Sequence, residues 1–478
     1  MRVVFEALGR HAAERPRAPA FSDDEGAVTW AALAGRVAGL AQRLENASET
    51  VAIAEPGGLG YVVADLATTL AGKRQVPLPF FFSDEQRAHI LRESGAGAVI
   101  SRDPAPFAGS GLEVINPDAE PAALPAYAGG GQRIIYTSGS SGRPKGVIIG
   151  DRQLDASLAA LVPVVAATPA DRHLSILPLP QLLEQICGIF LPILAGAECA
   201  MRFGATRALL GGPLAGLTDA VEAVQPTTSL LSPGLLGRWV STIASGQVTV
   251  PPGLRFLAVG GAASSPALIR AAEAAGLPVH EGYGLSECCS VVAMNRPGQN
   301  RPGTVGPVLD GIVVEIVEGE ITVAGPTVME GYLGGPPAPS RWHTGDMGRI
   351  EEGRLVIEGR KDALIVTPAG RNISPEWVEA RVNADPRVIA SALTLREGDG
   401  ALVLIVVPGA RISPEEIVPL LSDLPDYARP AELLLAPHDT PGLLFAAGTP
   451  NRAVAARIVK VRQALPLPHP EETERLTQ

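Results

Sequence analysis

Apolar residues recur with two different periods along the first 300 positions, and segments of one period follow segments of the other. Phe5, Leu8 and Ala12 are spaced as on one face of a helix, whereas residues 51–53 form a short apolar run typical of a buried strand. Strands that alternate with helices of about 10 to 15 residues predict parallel α/β layers. The predicted helices cover 30–44, 61–70, 84–94, 151–166, 182–195, 214–224 and 266–275. The predicted strands cover 51–53, 75–79, 98–100, 173–177, 228–231 and 255–259, and the Pro/Ala/Gly-rich stretch 102–131 is expected to be a loop.

The pattern changes after position 300. Short strands joined by glycine-containing turns predict a small β-rich subdomain there, at 313–317, 320–323 and 354–357. A further unit begins near 362, with helices at 375–384 and 413–421 and strands at 389–396 and 401–407. The expected fold class is α/β, with a large N-terminal domain of layered α/β subdomains plus the β-rich subdomain, and a small α+β C-terminal domain. The expected domains are 1–360 and 361–478.

Composition narrows the possible functional classes. The chain has 478 residues, which is too long for one compact core. Its 46% apolar and 19% charged residues indicate a globular protein. The net charge of −11 argues against a nucleic-acid partner, because a phosphate backbone requires a basic surface.

The cysteines and the N-terminus give no sign of a secreted or membrane protein. Cys187, Cys199, Cys288 and Cys289 lack metal-ligand spacing. The adjacent pair Cys288 and Cys289 could form a strained disulfide, but two buried thiols are favoured. No signal-peptide pattern and no run of about 20 apolar residues is present. We therefore expect a cytoplasmic protein without a membrane span.

A loop rich in glycine and hydroxyl side chains follows an apolar strand at 133–136. Residues 137–146 read Thr-Ser-Gly-Ser-Ser-Gly-Arg-Pro-Lys-Gly. Hydroxyls and backbone N–H groups in such a loop can surround a polyphosphate, and Lys145 can neutralise its charge. A Walker A loop is excluded, because Lys145 precedes Gly146 and a strand rather than Ser/Thr and a helix. The alternative is a flexible polar linker, but a linker needs neither a lysine after a proline nor strands on both sides.

This loop resembles a signature of the acyl-adenylate-forming superfamily, which includes acyl- and aryl-CoA synthetases, peptide-synthetase adenylation domains and luciferases. The resemblance implies that the loop closes over the β- and γ-phosphates of ATP, with Lys145 in a catalytic role. The other loop residues that it implies in nucleotide binding are Thr137, Ser138, Gly139, Ser140, Ser141 and Gly142.

A second signature of the superfamily is similar to residues 281–287, which read Glu-Gly-Tyr-Gly-Leu-Ser-Glu. By this resemblance Tyr283 stacks on the adenine, Ser286 contacts the α-phosphate and Glu287 holds Mg²⁺. An aromatic face, a hydroxyl and a hard carboxylate suit these three roles. Gly261 and Ala262, which follow the strand at 256–259, resemble the adenine-side turn of the superfamily.

Two further segments follow in the same order as in the superfamily. Residues 342–346 resemble the ribose-binding signature, in which Asp346 accepts hydrogen bonds from both hydroxyls. Residues 359–362 resemble the hinge before a mobile lid domain, with Arg360 reaching the ribose or a phosphate and the pivot at Lys361 and Asp362. Residues 364–376 resemble the segment that helps to admit a thiol, although Pro368 and Ala369 replace small residues before the glycine.

The acid-binding region and the C-terminus depart from the superfamily. Gln181 occupies about the position of a common histidine or aromatic gate, and no aspartate is found where amino-acid activators hold an α-amine. The superfamily ends in a segment resembling Thr-x-x-Gly-Lys, whose lysine contacts the carboxylate and α-phosphate, but residues 449–453 read Thr-Pro-Asn-Arg-Ala. Arg452 is the candidate substitute, although a planar guanidinium is not equivalent to an ammonium.

The resemblance implies that a carboxylic acid reacts with ATP and Mg²⁺ to give acyl-AMP and pyrophosphate. A thiol of CoA or of phosphopantetheine on an acyl carrier protein then takes the acyl group. Two alternatives remain at the level of the sequence. The enzyme could form a lactone or an amide from the adenylate, or activate a non-carboxylate acid, without CoA ligation. Alternatively, the chain could be a nucleotide-binding homologue that has lost catalysis.

Overall fold

Strands and helices alternate through the first 300 residues, as the sequence pattern predicts. The computed structural model describes residues 1–137, 144–367, 371–385, 387–444 and 450–467. The strands up to position 294 are β1 (Pro19–Ser22), β2 (Ala27–Thr29), β3 (Thr50–Ile53), β4 (Arg74–Pro77), β5 (Ala98–Ile100), β6 (Glu113–Ile115), β7 (Gln132–Thr137), β8 (Lys145–Gly150), β9 (Arg172–Ser175), β10 (Glu198–Met201), β11 (Thr228–Leu231), β12 (Phe256–Val259), β13 (Val279–Leu285) and β14 (Ser290–Met294).

The helices of the same region cover the faces of these strands. They are α1 (Arg2–Glu14), α2 (Trp30–Leu44), α3 (Gly58–Leu70), α4 (Asp84–Ser94), α5 (Asp151–Val165), α6 (Leu182–Glu184), α7 (Leu191–Ala195), α8 (Phe203–Leu209), α9 (Ala215–Val224), α10 (Pro233–Ala244) and α11 (Pro266–Ala274). A π-helical turn, Gln185–Phe190, joins α6 to α7.

The remaining elements lie beyond position 300, and all of the strands except β17 belong to the β-rich subdomain or to the C-terminal unit. The strands are β15 (Val313–Val317), β16 (Glu320–Ala324), β17 (Gly331–Tyr332), β18 (Arg341–Glu351), β19 (Arg354–Arg360), β20 (Ile365–Val366), β21 (Asn372–Ile373), β22 (Val388–Leu395), β23 (Leu402–Pro408), β24 (Glu432–Leu435) and β25 (Leu465–Pro466). The helices are α12 (Pro375–Val382), α13 (Pro414–Ile417) and α14 (Arg452–Val461).

Two large sheets carry the first 300 residues. One has the strand order β17-β8-β7-β4-β3-β5-β6, and the other has the order β14-β13-β12-β11-β9-β10-β1-β2. Their central strands run parallel, for example β3 beside β4 and β5, and β12 beside β11 and β13. Central strands of this kind are buried on both faces, and every residue of β12 is buried. The expected layered α/β class is thereby confirmed.

A buried polar network anchors the strand that leads into the glycine-rich loop. Arg133 of β7 is 1% exposed, and its guanidinium lies 3.2 Å from the Asp65 carboxylate of α3. The Gln185 amide oxygen also accepts a hydrogen bond from Arg133, and its amide nitrogen donates to the Tyr61 hydroxyl at 2.9 Å. Further hydrogen bonds from Gln185 and Thr69 support Arg133, whereas Asp65 Oδ1 is buried without a hydrogen-bond partner.

Local signals predicted several boundaries correctly. Ser83, directly before the predicted helix at 84–94, accepts a hydrogen bond from the Gln86 backbone and completes a capping box. Cys288 and Cys289 are both free and buried, in agreement with the favoured reading of that pair. Among the described residues, no helix is long and apolar enough to cross a membrane.

The expected loop at 102–131 is wrong in part. Residues 113–115 form β6, which pairs in parallel with β5. Helices α8 and α10 and the long strand β18 were also absent from the prediction. A three-residue strand between proline- and glycine-rich turns has too few positions for a period to be recognised, so only its pairing partner defines it.

The C-terminal unit has its own sheet and its own apolar clusters. Its sheet has the order β22-β23-β24-β25. Two apolar clusters, built around Leu404 and Ile405 of β23, contain only residues beyond position 364. Separate cores are typical of separate domains. The boundary near 360 and the hinge at Lys361 and Asp362 stay predictions.

Candidate active site

The segments singled out in the sequence follow the carboxyl ends of strands in both large sheets. Gly260 and Gly261 follow β12, Ser286 follows β13, and Thr137 is the last residue of β7. In open α/β sheets, ligands bind in the crevice beyond these ends. The topology therefore brings together segments that are far apart in the chain.

The glycine-rich loop is held by an antiparallel hairpin. Thr137 at the end of β7 pairs with Lys145 at the start of β8. The predicted nucleotide-binding residues Ser138, Gly139, Ser140, Ser141 and Gly142 lie outside the described residues. The hairpin fixes the two ends of the loop, and Lys145 is exposed at one of them.

Tyr332, which the sequence did not single out, lies next to Lys145. Strand β17 pairs with β8, and this register sets Tyr332 opposite Val147. As a result, the Lys145 Nζ atom lies 5.5 Å from the centroid of the Tyr332 ring, within cation–π range. The ring also packs edge-on against Trp342, with centroids 5.8 Å apart.

The predicted metal ligand Glu287 is bonded to the same tyrosine. The Tyr332 hydroxyl donates a hydrogen bond of 2.8 Å to Glu287 Oε1. Burial raises the pKa of Tyr332, so its hydroxyl stays protonated and can donate. Glu287 lies in the short 3-10 turn Ser286–Cys288, directly after β13. Tyr332 thus contacts both Lys145 and Glu287.

Tyr283, Asp346 and Arg360 form a second cluster. The Tyr283 hydroxyl donates to Asp346 Oδ2 at 2.6 Å, and Arg360 Nη1 donates to Asp346 Oδ1 at 3.3 Å. Asp346 lies opposite Arg360 in the β18–β19 register. Burial raises the pKa of Asp346, while its bonds from Tyr283 and Arg360 act in the opposite direction.

A glycine is required beside Tyr283. The β13–β14 ladder shifts register between Tyr283 and Gly284. A Cβ atom on Gly284 would lie 1.6 Å from the Ser290 backbone oxygen, which no side chain can tolerate. The turn of the second signature therefore depends on this glycine for its close backbone approach.

One cavity of about 460 Å³ lies among these segments. Four predicted site residues line it: Thr137, Gly261, Tyr283 and Ser286. Ala262 is exposed and is absent from its lining, and so are Lys145, Glu287, Asp346 and Arg360. Asp346 contacts the cavity-lining Tyr283, and Arg360 contacts Asp346. Lys145 and Glu287 contact Tyr332, which is also absent from the lining.

The cavity wall is mainly apolar and carries no charged side chain among the described residues. Gln181, at the expected gate position, is one of its few polar members. Its apolar lining residues include Phe81, Phe82, Leu161, Val165, Leu177, Leu182, Leu183, Leu230, Phe256 and Met294. Such a wall favours an apolar ligand, because an isolated charge would lose its hydration there.

The pattern of the family described as "AMP-binding enzyme" matches residues 8–128 and 132–333, which is more than half of the chain. The chain belongs to the AMP-binding enzyme family. The matched residues include the signature segments at 137–146 and 281–287.

Curated relatives of this AMP-binding enzyme differ in length and name. The isonitrile lipopeptide synthase of Streptomyces coeruleorubidus is 28% identical over 475 residues, which cover 91% of this chain and 32% of that protein. The 2-succinylbenzoate–CoA ligase of Bacillus licheniformis is 28% identical over 378 residues, which cover 71% of this chain and 75% of that protein. The chain thus spans about a third of the first relative.

Solved structures share the fold over nearly the whole chain. The o-succinylbenzoate CoA synthetase of Bacillus subtilis, solved with its acyl-adenylate intermediate, gives a TM-score of 0.80 at 22% identity and covers 96% of this chain and 99% of its own. ATP-bound MatB of Rhodopseudomonas palustris gives a TM-score of 0.79 at 23% identity, with coverage of 96% and 99%. At these identities the likeness establishes the fold alone.

Arg452 of this AMP-binding enzyme forms hydrogen bonds with two glutamates of the C-terminal unit. It is the first residue of α14, behind the capping Asn451. Its Nη1 atom donates to Glu379 Oε1 at 2.6 Å, and its Nη2 atom donates to Glu376 Oε1 at 2.8 Å. Glu379 is buried, and burial raises its pKa while Arg452 acts in the opposite direction. These contacts favour a structural role, so the catalytic role of Arg452 stays a prediction. Lys460, the nearest lysine, is paired with Glu397 at 2.6 Å.

Proposed function

We propose that this protein activates an apolar carboxylic acid with ATP. A carboxylate oxygen attacks the α-phosphorus, the bond to the β-phosphate oxygen breaks, and pyrophosphate leaves to give acyl-AMP. The observation that carries the proposal is a cavity in which positions from the nucleotide-binding signatures meet a mainly apolar wall, without a charged side chain among its described residues.

The nucleotide end of the site is built from the clusters around Tyr283 and Tyr332. The glycine-rich loop, with Lys145 at its end, holds the β- and γ-phosphates by charge and by N–H donation. Asp346 and Arg360 hold the ribose, since an ionised carboxylate accepts from both sugar hydroxyls. The Tyr283 ring lines the cavity and offers an apolar face to the adenine.

The residues present fit a magnesium ion that travels with ATP. Glu287 supplies one hard carboxylate, while no group of three or more His, Cys, Asp and Glu side chains suited to a metal occurs in the described part of the chain. Magnesium is commonly held by one or two carboxylates together with phosphate oxygens and water. When bound, the ion neutralises phosphate charge, and Tyr332 orients the carboxylate that holds it.

The cavity wall selects the acid. A 460 Å³ space without a charged side chain among the described residues suits an aliphatic or aromatic tail. The ammonium group of an amino acid would find no carboxylate among the described residues of this wall, and burying an unpaired charge is unfavourable. The acid is therefore an apolar one without an α-amine.

The second half of the reaction transfers the acyl group to a thiol. The sulfur attacks the acyl carbon, AMP leaves, and the thiol proton passes to solvent. The thiol belongs to CoA or to a carrier-protein phosphopantetheine, and the name of one relative, a CoA ligase, agrees with the first of these. We assign the first half-reaction and the transfer to this chain as one cytoplasmic activity.

Pyrophosphate release with a panel of aliphatic, aromatic and amino acids tests the adenylation step. Apolar acids should support release, and Glu287→Gln should lower the rate by about 100-fold or more, because a hard carboxylate is lost next to the phosphates. Glu330→Gln, an exposed glutamate close in sequence to Tyr332, is the matched control. Binding of ATP without pyrophosphate release from any acid would overturn the proposal.

Mass spectrometry of the products separates the fates of the adenylate. Thioester should form with CoA or with a phosphopantetheine-bearing carrier protein, and the better acceptor identifies the partner. Free acyl-AMP, or a lactone or amide, in the presence of both thiols would favour an enzyme that diverts the adenylate.

A further inference from the structure

Four phenylalanines form a continuous stack that runs from the cavity to the protein surface. Ring centroids are 5.3 Å apart for Phe82 and Phe81, 5.4 Å for Phe81 and Phe80, and 6.3 Å for Phe80 and Phe203. The first two pairs meet edge to face, which is the favoured arrangement of aromatic rings. We call Phe80, Phe81, Phe82 and Phe203 the aromatic ridge.

The ridge joins two elements that the fold brings together. Phe80, Phe81 and Phe82 lie between the end of β4 and the start of α4, whereas Phe203 is the first residue of α8. The Phe203 backbone N–H donates to Asp24 Oδ2 at 2.9 Å, which fixes the start of α8. The rings therefore belong to defined segments of both sheets.

The inner end of the ridge is part of the cavity, and its outer end is open. Phe81 and Phe82 line the cavity wall. Phe80 is only partly buried, and Phe203 is 49% exposed. The chain contains 10 phenylalanines in 478 residues, so nearly half of them are in this one stack. Exposed apolar groups that continue a binding cavity commonly bind the same ligand.

We infer that the aromatic ridge is a subsite for the distal part of the acid, and that the substrate is an amphiphilic acid with a long apolar tail. This inference rests on the proposed function. The carboxylate lies toward Tyr283 and Ser286, the middle of the tail fills the uncharged cavity, and the end of the tail covers Phe80 and Phe203. A short acid fits the cavity without reaching the outer rings.

The double variant Phe80→Ala/Phe203→Ala tests the subsite with a series of straight-chain acids of about 4 to about 12 carbons, since each methylene contributes binding free energy when it is buried. The KM of the longest acid should rise roughly tenfold, which corresponds to the loss of contacts with about two methylenes. The KM of the shortest acid and all kcat values should stay unchanged. Replacing Phe203→Ala in the double variant by Phe203→Leu should restore part of the affinity for the longest acid, because leucine keeps an apolar surface.

Val461→Ala is the matched control, since Val461 is an exposed apolar residue on the C-terminal helix α14. It should leave the KM of every acid unchanged. An equal change for short and long acids, or no change in the double variant, would overturn the subsite.

Isothermal titration calorimetry with the same acids, without ATP, distinguishes failure of the subsite from failure of the proposed adenylation. Affinity of the native protein should increase with chain length, and the double variant should lose this increase for the longest acids. This pattern without pyrophosphate release would refute the proposed adenylation while supporting the subsite. Pyrophosphate release from short acids, with no length-dependent loss in the variant, would refute the subsite alone.

Discussion

The Tyr332 hydroxyl donates a 2.8 Å hydrogen bond to Glu287 Oε1, and the ring of the same tyrosine lies 5.5 Å from the Lys145 ammonium. The Tyr332 side chain therefore orients both Glu287, the proposed metal ligand, and Lys145, the lysine proposed to bind phosphate. Its two contacts use different parts of the phenol, so substitutions can remove them one at a time.

Tyr332→Phe removes the hydroxyl and keeps the ring. We expect the apparent affinity for Mg²⁺ to fall about 10-fold, in the range seen when partners of a metal ligand are lost. The rate at saturating Mg²⁺ should stay within a few-fold of native, because the ring still contacts Lys145. A Mg²⁺ titration of pyrophosphate release measures both quantities.

Tyr332→Leu removes the ring as well, and we expect it to lower the saturated rate in addition. Tyr427→Phe, at an exposed tyrosine of the C-terminal unit, is the control for a lost hydroxyl. An unchanged Mg²⁺ dependence in Tyr332→Phe would show that Glu287 does not depend on this bond.

Asp346→Asn should weaken nucleotide binding. The carboxylate accepts from Tyr283 and Arg360, and a neutral amide cannot replace both charge-assisted contacts. The KM for ATP should rise about 10- to 100-fold, the equivalent of a lost hydrogen bond to a charged group. Asp310→Asn, at an exposed aspartate, serves as the control. A normal KM for ATP in Asp346→Asn would remove Asp346 from the site.

Arg452→Ala should destabilise the protein by about 3 kcal/mol, because it leaves the buried Glu379 without its partner. Urea denaturation measures the loss, and Arg457→Ala, at an exposed arginine of the same helix, should show little change.

The double variant Arg452→Ala/Glu379→Gln separates structure from catalysis. If Arg452 is structural, neutralising Glu379 should recover stability and the rate of pyrophosphate release together. Recovered stability with a persistently low rate would instead support Arg452 as the substitute for the missing lysine.

Stability should fall as the pH rises from about 6.5 to about 8, and Glu184 should contribute to the slope. Burial raises the pKa of Glu184 to about 8, although a bond from Ser175 opposes the shift. The folded state then holds a proton that the unfolded state has released, so folding is favoured at low pH and this contribution is lost as the pH approaches 8.

Glu184→Gln should flatten this dependence, which urea midpoints at three pH values can measure. Burial also raises the pKa of Glu281 to about 8. In the variant, Glu281 should therefore still make stability fall as the pH rises. Burial lowers the pKa of His173 and of His280 to about 4, so these residues act below about pH 6.5 and do not obscure the window. An identical slope in native protein and variant would mean that Glu184 is ionised in the fold.

Most elements of the first 300 residues could be predicted because their signals are local. The period of α3, the apolar run of β3 and the serine cap of α4 each lie within a few residues of the element they define. Helix α10 was missed even though Ser232 and Pro233 form a cap and first turn of the expected kind. Strand β6 had no such signal, because its pairing with β5 alone defines it.

The candidate site also contains residues that local sequence patterns predicted and one contact residue that they did not. The order of the signature segments and the residue types within them predicted Thr137, Gly261, Tyr283 and Ser286, and all four line one cavity. No local pattern pointed to Tyr332, because β17 is only two residues long and its position is defined by its pairing with β8.

The amino-acid sequence by itself determined the alternating α/β architecture and the family, and it predicted the segments of the nucleotide site, because these depend on residue type and short-range spacing. Only the tertiary structure decided that Tyr332 lies between Lys145 and Glu287, that Arg452 pairs with Glu379, and that an aromatic ridge continues an uncharged cavity. Strand pairing and packing set the distances between segments that are far apart in the chain, and no local pattern encodes such distances.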